Sequence, residues 1–200
     1  MQLYLTNSSP YARSARIGLR EHNLLAQVRE TVSHPFSNEA DFLNANPLGK
    51  VPCLVTDAGH SIMDSEVICA YLDSELGNGQ LGSAVEKSWE LKTFSSVCSG
   101  LIDTLVLLRI EKSREHDGLR SEFWWQRYQD AIQRTLDYLA QHSGLLPGEL
   151  SLAHINLAVA LGYLDFRHAE IDWRSSHRQL AEIAAGLEQR PAFRETVLRD

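Results

Sequence analysis

Three short segments of this chain carry side chains of the kind that hold ligands: Ser9-Pro10, Val51-Pro52 and Asp64-Ser65. A serine or aspartate just ahead of a helix offers an oxygen to the open N–H groups of the first turn, where the positive end of the helix dipole also lies. Such a residue either closes the helix, which is worth ~1 kcal/mol, or meets a charged group on a ligand. Ser9, with a proline following at the first helical position, and Asp64-Ser65 both fit that description. Pro52 enters an apolar strand, as a trans proline at a strand's first residue or as the rarer cis form of a tight turn. Lys50 stands just before it and His34 lies in an earlier loop; a lone cation in a loop is ordinarily solvated.

Other chemistry is thinly represented. The eight histidines are dispersed, with no H-E-x-x-H and no i, i+4 pair, so the sequence gives no support for a metal site. There is no G-x-S-x-G elbow, no Walker loop and no G-x-G-x-x-G. Cys53, Cys69 and Cys98 are odd in number, form no C-x-x-C and sit in apolar stretches, as free thiols packed in a reducing compartment do.

Elements must position the three segments. Gln2 to Thr6 reads as a strand and Pro10 to about His22 as a helix, with Ala12, Ala15 and Leu19 on one face and Arg13, Arg16 and Arg20 on another. Residues 27–32 alternate as a second strand, and residues 39–44 form a short helix closed by Asn46-Pro47-Leu48-Gly49. Residues 51–56 and 61–63 form a hairpin about Asp57-Ala58-Gly59, and a helix after Asp64-Ser65 ends at Gly77-Asn78-Gly79. The order is β-α-β-α-β-β-α. Beyond it the texture is helical, with long helices expected at about 85–113, 120–142 and 152–169 and shorter ones at 177–188 and 191–198. All four tryptophans fall in this part. Trp124, Trp125 and Tyr128 lie within one helical stretch, where they could contribute to a binding surface, with core packing the favoured role.

The chain has 200 residues, 44% hydrophobic and 22% charged, and a net charge of −7. That balance excludes a disordered or fibrous chain and sets a general repulsion against nucleic-acid phosphates. The N-terminus lacks a basic leader, and no apolar run approaches the ~18 residues of a membrane span.

In order and spacing, Ser9-Pro10, Asn46-Pro47-Leu48-Gly49-Lys50-Val51-Pro52 and Asp64-Ser65 resemble glutathione transferases. The resemblance implies a thioredoxin-like α/β domain over residues 1–77, a linker at 78–84 and an all-α domain over 85–200. It also implies roles. A thiol with a pKa near ~8.5 is mostly protonated at neutral pH, so an enzyme using it must favour the thiolate. Ser9, or Ser8 as the alternative, would donate a hydrogen bond to the glutathione sulfur, helped by the field of the following helix. A serine rather than a cysteine there favours conjugation, isomerisation or peroxide reduction over thiol–disulfide exchange. A cis Val51–Pro52 bond would leave the Val51 N–H and C=O to pair with the tripeptide backbone as an added strand does. Asp64 and Ser65 would hold its γ-glutamyl end, Lys50 its other carboxylate, and His34 would add a basic contact.

The implied protein is a cytoplasmic homodimeric enzyme of detoxification. It takes glutathione as co-substrate and a small electrophile as acceptor, and needs no metal, nucleic acid or membrane. In the family the acceptor sits between the domains, where Leu105, Leu108, Arg109 and Lys112 are candidates at helical spacing. The other reading is a non-enzymatic interaction protein of the same fold, of the stress-response or translation-associated type, and fold alone does not separate the two. Two departures from the family pattern stand out. Ser8-Ser9-Pro10 lacks the Ser-Ser-Cys of the zeta subgroup, which isomerises maleylacetoacetate. Ser151 is followed by His154 where the family's capping box has an aspartate.

Overall fold

The strand expected at the N-terminus forms as β1 (Gln2–Leu5), with Leu3, Tyr4 and Leu5 all buried. The chain then forms helix α1 (Pro10–Glu21), strand β2 (Arg29–Val32), a 3-10 turn at Pro35–Ser37 and helix α2 (Ala40–Ala45). Strands β3 (Cys53–Val55) and β4 (Ser61–Ile62) follow, then helix α3 (Ser65–Tyr71), which runs on into a π-helical turn, Leu72–Leu76. The sheet order is β2-β1-β3-β4, with β1 parallel to β2 and antiparallel to β3, and β3 antiparallel to β4. This computed structural model describes all 200 residues and divides into two compact units, Met1–Ser83 with Arg190–Asp200, and Ala84–Gln189.

The first unit therefore includes the end of the chain, which the sequence reading had placed among the helices of residues 85–200. Helix α10 covers only Pro191–Arg194, shorter than the 191–198 expected, and it packs on α1. That packing buries much of the arginine face: Arg13 and Arg16 are 5% and 3% exposed. Arg13 Nη2 donates to the Phe193 carbonyl at 3.4 Å, and Arg16 and Arg20 converge on Glu30 at 3.4 and 2.7 Å. Burial pulls the Glu30 carboxyl upward, but its hydrogen bonds and charge interactions with Arg20 and Arg16 win and hold its pKa below the ordinary value. Local periodicity groups the arginines on one face without showing what covers it; the cover arrives from 180 residues away in sequence.

The second unit is built on α5 (Trp89–Glu115), α6 (Glu122–His142), α7 (Leu152–Arg167), a short α8 (Trp173–Ser176) and α9 (Arg178–Glu188). The linker stretch carries another helix, α4 (Gln80–Lys87), separated from α5 by Ser88, whose hydroxyl caps α5 by accepting from Leu91 N–H at 3.1 Å. Against the expectation drawn from apolar runs, α5 is long and apolar enough to cross a membrane by length and composition. Its apolar side is taken up by α6 and α7. Leu105 and Leu108 are fully buried there and Lys112 pairs with Glu170, so these residues are core and ion pair rather than an open acceptor-facing row. Trp124 also departs from the core expectation: it is 44% exposed, stacked on Tyr128 and edge-on to Phe123 at the surface. The Ser151 cap is completed after all, because His154 Nδ1 accepts the Ser151 N–H at 3.2 Å in place of the carboxylate.

His168 closes α7. Its Nε2 donates to the Leu105 carbonyl at 2.9 Å, and its buried Nδ1 has no hydrogen bond, with Glu170 3.9 Å away. Burial, with Lys112 adding to it, pushes the pKa down to about 4. The unfolded chain binds this proton from about pH 6.5 downward while the folded chain refuses it until about pH 4, so stability falls with pH across that window. Discounted for solvent screening, the loss is on the order of 2 kcal/mol. Urea denaturation between these limits should show it, and a His168→Gln chain should show a flatter profile. Parallel profiles for the two chains would remove His168 as the cause.

Candidate active site at one end of the sheet

Strand directions alone bring the sequence candidates together. β1 and β2 run parallel, so the segments following them, the Thr6–Ser9 turn and the Ser33-His34 loop, leave the same end of the sheet. β3 runs the other way and pairs Cys53 with Tyr4, so the residues entering it, Val51-Pro52, reach that same end. β4 reverses again, and the register Leu54 to Ile62 carries the chain out to Asp64-Ser65 there too. The ends of parallel strands in open α/β sheets are where ligands are usually held. Val51 and Met63 moreover pack on one cluster with Tyr4, Phe42 and Cys53.

Ser9 is the N-cap of α1, with φ −79° and ψ 120°, and Pro10 follows at the first helical position. Its Oγ accepts the Ala12 N–H at 3.2 Å, and its own N–H donates to the Thr6 carbonyl at 3.3 Å, closing the turn. The capping role anticipated from sequence is therefore real, yet it occupies one lone pair only. No bond engages the hydroxyl as a donor, so its proton stays available at the mouth of a twelve-residue helix. Ser8 is half-buried and caps nothing.

The Val51–Pro52 bond is cis, and the Val51 N–H and C=O make no hydrogen bond within the chain. The approach to it is fixed by Asn46, a buried residue to which the sequence reading gave no role beyond its place in the loop motif. Asn46 Nδ2 donates to the Lys50 carbonyl at 2.6 Å and its Oδ1 accepts the Leu48 N–H at 3.0 Å. Gly49 takes φ 59° in the same turn, a backbone shape that suits glycine. Asn-Pro-x-Gly was the available signal for this device.

Asp64 caps α3 through Oδ1, which accepts the Glu66 N–H at 3.0 Å, leaving its other oxygen exposed. Ser65, half-buried at the first helical position, has both its N–H and its hydroxyl uncommitted. The Met63–Asp64 peptide is also cis, and no residue type in the sequence signals it. Lys50 extends into solvent at the same sheet end without an ion-pair partner, while His34 caps the 3-10 turn, its Nδ1 accepting the Phe36 N–H at 3.3 Å. None of the thiols competes as a nucleophile. Burial pushes Cys53 up, Cys69 up to about 12 and Cys98 up as well, and each is sealed from solvent. No three His, Cys, Asp or Glu side chains gather as a metal-binding group.

Known proteins match this chain in sequence and fold. The family model for the glutathione S-transferase N-terminal domain matches residues 3–79, and that for the C-terminal domain matches residues 122–185. A crystal structure of a glutathione transferase family member from Pseudomonas fluorescens Pf-5 with bound glutathione is 34% identical, with a TM-score of 0.91, over 100% of this chain and 99% of that one. A glutathione S-transferase from Methylobacterium radiotolerans, in complex with glutathione sulfonate, is 29% identical with a TM-score of 0.89 over 100% and 95%. Among curated sequences, the uncharacterized GST-like protein YibF of Escherichia coli is 28% identical over 98% of each chain. With both domains matched and a relative 34% identical aligned over the whole chain, the chain belongs to the glutathione S-transferase family.

Proposed function

We propose that this chain binds glutathione along the end of its sheet and activates the thiol for attack on a small electrophile. One observation carries the reading: the Ser9 hydroxyl proton is uncommitted at the mouth of α1, at the same sheet end as the unpaired N–H and C=O of Val51. In this reading the Val51 pair takes the cysteinyl backbone. Ser65, with the free oxygen of Asp64, holds the γ-glutamyl carboxylate and ammonium, and Lys50 and His34 lie on the glycyl side. The sulfur then lies before Ser9, where an O–H donor and the helix field favour its anion. The thiol proton leaves to solvent. The sulfur lone pair forms the new bond to the acceptor, whose leaving group departs with its electron pair or whose displaced π electrons take up a proton. The Pseudomonas fluorescens relative, which has glutathione bound, supports the choice of thiol.

The test is a glutathione titration with thiolate absorbance followed between about pH 5 and pH 9. Bound thiol should ionise well below the ~8.5 of a free thiol. Binding with an unshifted thiol would remove the activation step, and the absence of binding at millimolar glutathione would leave the non-enzymatic reading of the fold.

A further inference from the structure

The last eleven residues, Arg190–Asp200, group with the first unit, and α10 within them packs on α1. Arg190 pairs with Glu21 at the end of α1 through two bonds of 2.9 and 2.6 Å, and Glu195 pairs with Arg20 at 3.2 Å. The Phe193 carbonyl accepts from Arg13, one turn into the helix. Arg199 then passes the helix start altogether: its backbone N–H donates to the carbonyl of Asn7 at 3.3 Å. Phe193 and Thr196 are fully buried and Leu198 is 6% exposed, so the segment is seated rather than draped.

Asn7 occupies the second position of the turn that Thr6 and Ser9 close. Turns of this kind have two principal forms, related by rotation of the central peptide, here Asn7–Ser8. The direction of the Asn7 carbonyl reports which form is present, and the Arg199 N–H holds that carbonyl, and with it the turn that leads into Ser9, in one of them. We infer that the C-terminal segment is a positioning element for the site: the Arg199 N–H, held by the anchors at Phe193 and Leu198, fixes the Asn7–Ser8 peptide and through it the aim of the Ser9 hydroxyl. This inference rests on the reading of Ser9 given above. Arg199 touches no ligand; it acts on the sulfur only through the turn. A catalytic centre formed at residues 6–9 is thus completed by the last part of the chain.

Two substitutions separate the backbone contact from the side chain. Arg199→Pro removes the N–H that reaches Asn7, whereas Arg199→Ala keeps it and deletes the guanidinium. Glutathione affinity measured near pH 5, where the bound thiol stays protonated, should change less than about twofold in both, because the backbone and γ-glutamyl contacts are untouched. The pKa of the bound thiol should rise by about one unit in Arg199→Pro only. A wild-type thiol pKa in Arg199→Pro, or an equal rise in both variants, would overturn the inference. Should Arg199→Pro fail to fold, Leu198→Ala, which loosens the anchor beside the donor, decides: a raised thiol pKa at unchanged low-pH affinity supports the inference, and an unchanged pKa overturns it. A wild-type chain that fails to lower the thiol pKa would instead remove the reading of Ser9 itself, a separate outcome visible before any variant is made.

Discussion

Ser9→Ala is expected to slow glutathione conjugation roughly 10- to 100-fold in kcat/KM, the loss that follows when a hydrogen bond to a charged group worth ~1.5–3 kcal/mol is removed. The same free energy should raise the pKa of the bound thiol by about one to two units. The substitution also removes the cap that accepts the Ala12 N–H, worth ~1 kcal/mol of folding stability. Ser9→Gly disentangles the two, since glycine caps nearly as well but has no hydroxyl. Ser9→Gly should therefore melt close to wild type and still be slow, and Ser9→Thr should recover most of the rate. Stopped-flow rates with pH profiles for the three variants check this. A Ser9→Gly chain as fast as wild type would take the hydroxyl out of the reaction and turn attention to Ser8.

The second large effect concerns folding. Asp73 in the π-helical turn is 4% exposed, and its two oxygens accept the N–H groups of Leu81 and Gly82 at 3.0 and 2.7 Å, closing the start of α4. Oδ1 also lies 3.0 Å from His22 Nε2 at the end of α1, off hydrogen-bond alignment. Gly77 lines the same contact, where a Cβ would stand 2.7 Å from the His22 ring. Asp73→Ala strands two buried donors at a cost of about 1–3 kcal/mol each, so we expect a loss of about 3–5 kcal/mol in urea denaturation. Asp73→Asn keeps one acceptor oxygen and should lose about half as much. A loss below about 1 kcal/mol for Asp73→Ala would show that water or relaxation satisfies those donors.

Much of this molecule is legible in one dimension because its signals are local. Proline after serine, the Asn-Pro-x-Gly turn and the apolar alternation each act over a few residues, and the helices of α5, α6 and α7 lie within a few residues of where 3.6-residue periodicity sets them. The hidden parts depend on contacts between distant segments. Arg13 and Arg16 are buried because residues 190–200 lie over them, and Leu105 and Leu108 are core because α7 is their neighbour. Trp124 fails in the other sense: size and apolarity favour burial, but its helix offers no partner face at that point, and the ring stacks on Tyr128 instead. His154 as half of a capping box is hidden for a chemical reason, since a neutral imidazole nitrogen accepts an N–H as a carboxylate does. At the sheet end, the uncommitted Ser9 proton and the open Val51 pair could be established only by accounting for every neighbouring donor and acceptor.

The placing of the tryptophans has a spectroscopic consequence. Trp89, Trp124, Trp125 and Trp173 all belong to the unit formed by residues 84–189, and the unit bearing the sheet has none. Indole emission from this protein therefore follows melting of one half of the chain, and ellipticity follows both. A gap between the two transition curves would measure how far the sheet-bearing half can come apart by itself.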